Sequence, residues 1–120
     1  MARREDGFTL IELLVVGVLI GILTAVALGF HAAARDRASD AAAKSNIRVA
    51  VPAFEAYQAD HDGSYTGVTV AALQADYSPG VQGIVILSAD SSTYCVSSTV
   101  AGHAWYRRGP DGPITTTSCG

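Results

Sequence analysis

Between Phe8 and Phe30 the chain reads FTLIELLVVGVLIGILTAVALGF, interrupted by a single ionisable residue, Glu12. As a helix these residues rise roughly 34 Å, enough for a bilayer hydrocarbon core of about 30 Å. Fifteen of them are Leu, Ile, Val or Phe. Each favours insertion by about 0.3–0.6 kcal/mol, a sum on the order of 5–9 kcal/mol. A carboxylate at the centre of a span costs roughly 3 kcal/mol, and less near an end. The apolar term wins, whereas a core helix of a soluble domain is served by runs of about 10–14 residues. With 120 residues and a formal charge of −3, there is room for one small head and no second catalytic lobe. The acidic balance also argues against a dedicated nucleic-acid binder, which carries a strongly basic face.

The segment before the run, MARREDG, is short and polar, with Arg3 and Arg4 offset by Glu5 and Asp6. An ordinary cleaved signal peptide competes here, because Ala25-Val26-Ala27 offers a small-x-small cleavage site. Such a signal wants a clearly positive start, a shorter apolar stretch and no carboxylate inside it.

Glu12 needs a partner, since an ionisable group in a span is a functional hypothesis by default. No cation lies elsewhere in the run. A cut after Gly7 would supply one, because the new α-amine of Phe8 stands one helical turn from Glu12, on the same face. A neighbouring subunit's Phe8 amine would serve equally. Such a pair adds little net stability, yet an unpaired charge there is costly, so it would act as a register pin. Gly17, Gly21, Ala25 and Gly29 recur every four residues. They form either a ridge on which helices pack closely or the ordinary Gly and Ala content of a membrane helix.

Gly7-Phe8-Thr9-Leu10-Ile11-Glu12-Leu13-Leu14-Val15-Val16 resembles the processing motif of type IV pilins and their pseudopilin relatives. The resemblance implies that a prepilin peptidase cuts after Gly7 and N-methylates Phe8, and that Glu12 serves assembly. It implies a pilin fold, of class α+β: a long N-terminal helix, membrane-embedded first and amphipathic later, packed on a small antiparallel sheet. The expected divisions are a leader over 1–7, a membrane and filament-core helix over 8–30, its amphipathic continuation over 31–59, and a head over 60–120. The implied function is a structural filament subunit, with a pseudopilin of type II secretion or DNA uptake as the alternative. The implied partners are further copies of the chain, minor pilins, the peptidase, and an assembly platform with its ATPase. The precursor would sit in the cytoplasmic membrane and the polymer on the cell surface. Two departures stand out: the leader is charge-neutral rather than basic, and Gly29 occupies the place where many pilins bend at a proline.

From His31 to about Gln58 the helix becomes Ala-rich and charged. Ala43, Ile47, Ala50, Phe54 and Tyr57 form an apolar stripe, with Val51 beside it. Pro52 lies inside and is expected to kink the helix locally. Asp60-His61-Asp62-Gly63-Ser64 reads as a solvated turn rather than a calcium loop, whose glycine and final glutamate are misplaced. A short helical turn is expected over Val70–Tyr77, and strands over Gln82–Ser88, Thr93–Val100 and His103–Arg108, joined by hairpins. So small a sheet must lie on the Ile47/Phe54/Tyr57 stripe to bury a core. Cys95 and Cys119, the two cysteines of an exported chain, favour a disulfide, a feature common in the C-terminal loop of pilins.

No catalytic constellation emerges. His31, His61 and His103 fall on separate elements without an interpretable spacing to a nucleophile. No phosphate loop or HExxH is present, the cysteines lack metal-site spacing, and no cofactor is implied. Trp105-Tyr106-Arg107-Arg108 is the one candidate for nucleic acid, pairing aromatics with cations. The simpler expectation is a strand with one aromatic inward and two solvated arginines.

Overall fold

The computed structural model describes residues 7–120. The order of elements is α1 (Leu10–Asp60), α2 (Val70–Asp76), β1 (Val85–Ala89), β2 (Tyr94–Val100), β3 (His103–Gly109) and β4 (Ile114–Thr115). The chain divides into two compact units, one ending at Arg35 and one running from Asp36 to Gly120. Within the first unit every described residue is exposed, so none of the described residues covers the apolar run.

In the second unit, the expected stripe is the core. Ala43, Ile47, Ala50, Phe54 and Tyr57 are all buried, and Ala53 joins them. They close on Tyr94 and Val96 of β2, and on Tyr65, Val68, Leu73, Val81 and Ile84 from the connecting segments. Phe54 stacks on Tyr94 with ring centroids 3.9 Å apart, and Tyr65 meets the same ring edge-on at 4.8 Å. The four strands form one antiparallel sheet in chain order. Tyr94, Cys95, Val96, Ser97 and Ser98 are all buried, so β2 is covered on both faces. Alternate residues explain this: Tyr94 and Ser98 reach α1, through Phe54 and Asn46, while Cys95 is bonded to Cys119.

Several boundaries differ from expectation. The helix runs to Asp60, two residues past the expected end. There Asp62 takes the left-handed conformation at φ 56°, and the Gly63 amide donates back to the Gln58 carbonyl at 2.9 Å. That is a Schellman stop, with an aspartate in the position glycine usually fills. Pro52 lies inside α1, which is assigned as helix on both sides of it. The short helix stops at Asp76, one residue early, and begins at a Thr69 cap whose hydroxyl accepts from Ala72. The first strand begins at Val85 rather than Gln82, because residues 82–84 are occupied with a turn around Gly83 (φ 67°). A fourth strand, Ile114–Thr115, was not expected: two residues carry no period to read, and only pairing with Tyr106 and Arg107 makes them a strand.

Candidate functional site

The N-terminal site begins in non-helical chain. Gly7, Phe8 and Thr9 lie outside the helix and are exposed, with Phe8 at 77%. Residues 1–6 of the expected leader lie outside the described residues. The helix starts where it does because Thr9 and Glu12 cap it reciprocally. The Glu12 amide donates to the Thr9 hydroxyl at 3.2 Å, and the Thr9 amide points to a Glu12 carboxylate oxygen at 3.4 Å. The Thr9 carbonyl accepts the first helical bond, from Leu13. This is a capping box, which satisfies two amides that the first turn would otherwise leave unpaired. Sequence reasoning assigned Glu12 to a future amine and missed this nearer partner, although Thr-x-x-Glu before an apolar run is its signature.

Along the apolar run the structure leaves its small residues facing open space. A Cβ built on Gly17, Gly21 or Gly29 would meet nothing within 4 Å. Within the helical part of this stretch the Thr24 hydroxyl donates to the Ile20 carbonyl at 2.7 Å, so that donor is not left bare on the apolar surface. Leu10, Ile11, Leu13, Leu14, Leu19, Leu23, Leu28 and Phe30 are all more than half exposed. So large a continuous apolar surface marks an interaction with membrane or partner rather than with water.

In the head, Cys95 and Cys119 form a disulfide with Cα atoms 5.7 Å apart, 24 residues apart in sequence. The C-terminal segment is further tied by Arg108, whose guanidinium donates to the Cys119 carbonyl. Arg107 donates to the Tyr94 hydroxyl at 2.6 Å and to the Pro110 carbonyl. The two arginines are therefore not simply solvated, as the sequence suggested; they are used to hold the loop after β3. Trp105 donates its indole N–H to Asp40 at 3.0 Å, and the Lys44 ammonium lies 3.9 Å above its ring. The cations and the indole of a nucleic-acid platform are thus engaged within the head. Gly109 permits this arrangement, because a Cβ there would overlap the Tyr94 ring.

Charge is placed with local compensation. Asp90 is lowered from the ordinary carboxylate value, first because the Ser92 and Thr93 amides donate to it across the β1–β2 turn. Asp40 is also lowered, by the Trp105 hydrogen bond first, with burial opposing and His103 assisting. Burial pushes the Tyr94 phenol up to about 12, against the pull of Arg107. His61 stacks on Tyr57 and its Nδ1 meets the Tyr57 carbonyl at 2.8 Å. Among the described residues no group of three His, Cys, Asp or Glu is placed to hold a metal ion. The His103–Asp40 contact spans 63 residues of sequence, a pairing that no local pattern signals.

A family model described as a prokaryotic N-terminal methylation motif matches residues 2–28. The type IV wide pilus major component PilA4 of Thermus thermophilus is 37% identical over 122 residues, covering 97% of this chain and 90% of that protein. The type II secretion system core protein G of Pseudomonas aeruginosa is 37% identical over 59 residues, covering 49% of this chain and 42% of its own length.

Proposed function

The chain belongs to the type IV pilin family, and from that premise we propose that it is a structural subunit of a pilus filament, cut between Gly7 and Phe8 and N-methylated at Phe8. The observation that carries this reading is the exposed Gly7–Phe8 bond, immediately before a capped apolar helix with one carboxylate. Before assembly, residues 8–30 hold the subunit in the cytoplasmic membrane. On assembly the same residues pack against those of other copies, with the ridge of Gly17, Gly21, Ala25 and Gly29 allowing close approach. Glu12 then pairs with a Phe8 amine, its own or a neighbour's, and sets the register between subunits. Cys95–Cys119 staples the head that the filament presents on the cell surface.

The proposed partners are further copies of this chain, minor pilins, the prepilin peptidase and a membrane platform driven by an ATPase. Its homologues are structural proteins rather than enzymes. Mass spectrometry of the N-terminus from sheared surface filaments tests the reading: methylated Phe8 is expected, and a chain beginning at Met1 or near Ala27 overturns it. The alternative, a pseudopilin of a secretion or uptake machine, has the half-length match to core protein G in its favour. Electron micrographs separate the two, because long fibres that vanish on deletion of this protein belong to a pilin.

A further inference from the structure

At its end nearest residue 36, the head is held by charges rather than by apolar packing. No residue of α1 before Ala43 is buried, so the apolar stripe offers no hold on the turn from Asp36 to Asp40. That turn instead meets β3 through the polar groups of His103 and Trp105. The Nδ1 of His103 lies 2.9 Å from an Asp40 carboxylate oxygen, and its Nε2 lies 3.4 Å from Asp36. Asp36, Asp40 and Lys44 recur every four residues and so share one helix face; His103 and Trp105 are two apart and share one strand face. Trp105 donates to the same Asp40 oxygen, and Lys44 covers the indole. The charged groups at this site from α1 are thus Asp36, Asp40 and Lys44, and Trp105 adds a neutral donor from the sheet. Arg35, next to Asp36, and Ser39, next to Asp40, also make interactions.

We propose that His103 is a pH-sensitive latch: protonated, it fastens the whole Asp36–Asp40 turn to β3, and neutral, it releases the Asp36 end. The chemistry follows from counting protons on the ring. An imidazolium carries an N–H at each nitrogen and can serve both carboxylates. A neutral imidazole carries one, which the nearer Asp40 takes. The bare Nε2 then faces a carboxylate oxygen, two acceptors with no proton between them. Asp36, whose side chain is 70% exposed, turns to water at little cost, as exposed ion pairs do. Asp40 stays, because Trp105 still donates to it. When His103 loses its proton, the portion of α1 fixed to the sheet therefore shortens by one helical turn.

Amide hydrogen exchange on the full-length protein in detergent micelles tests this, at pH 5.5 and pH 8 with correction for intrinsic exchange chemistry. In the wild type, amides 37–40 are expected to lose protection at the higher pH by roughly two- to fivefold, the scale of an exposed ion pair. Core amides at Ala50–Phe54 should not change. His103→Gln and Asp36→Asn should each abolish the difference, and Asp36→Asn touches only an exposed carboxylate, so it keeps the test sound if the first variant folds poorly. No pH difference in the wild type, or a difference that survives either substitution, overturns the latch.

Discussion

Residues 10–35 and 36–60 are one helix made in two ways. The first stretch buries none of its residues, while the second buries Ala43, Ile47, Ala50, Ala53, Phe54 and Tyr57. Their local propensities are similar, for both are rich in good helix formers. What differs is where each finds its partner. The head half is specified from within the chain, by a stripe that a sheet covers. The N-terminal half finds no cover among the described residues, and only its cap and backbone are satisfied locally. A substitution should therefore act on head stability in one half and on assembly in the other.

The sharpest break of that comparison is Phe54→Ala against Leu19→Ala. Loss of the buried ring should cost the head about 3–5 kcal/mol, read as a lower thermal midpoint of the full-length protein in micelles. Loss of the exposed leucine should leave that midpoint unchanged. Next, opening the Cys95–Cys119 loop by a double Cys→Ser substitution should cost roughly 3.5 kcal/mol in the chain-entropy model, measured by urea unfolding, with the N-terminal half unaffected. A smaller effect, on the order of 2 kcal/mol, comes from Tyr94. Its folded value of about 12 lies above the ordinary 10, so the contribution is full below pH 10. It is then lost as pH rises toward 12, and a Tyr94→Phe variant should show a shallower alkaline decline in stability. The smallest effect on the head is that of Glu12→Ala, expected to be nil. Processing of that variant survives while its incorporation into filaments falls, so wild-type filament yield would remove the pairing role of Glu12.

Much of the fold was legible because its signals are local. The apolar run, the stripe from Ala43 to Tyr57, the Ala101-Gly102 hairpin and the break at Pro79-Gly80 are each written within a few residues. The Thr9–Glu12 cap is equally local, a Thr-x-x-Glu pattern directly before the apolar run. The contacts of Asp36 and Asp40 with His103, of Asn46 with Ser98, and of Arg107 with Tyr94 were not legible. Each joins residues far apart in sequence, and a charged side chain on a strand reads the same whether it is solvated or bonded. Strand β4 was hidden for another reason, since two residues carry no period to read.

The amino-acid order alone determined that residues 8–30 must leave water, since the free energy of that transfer depends only on which side chains are present. It also determined which face of the later helix is apolar, because a period of 3.6 residues leaves no choice. Tertiary structure decided what covers that face and how its polar margin is closed. Those outcomes depend on which groups arrive within hydrogen-bonding distance, and such distances exist only after the chain has folded back on itself.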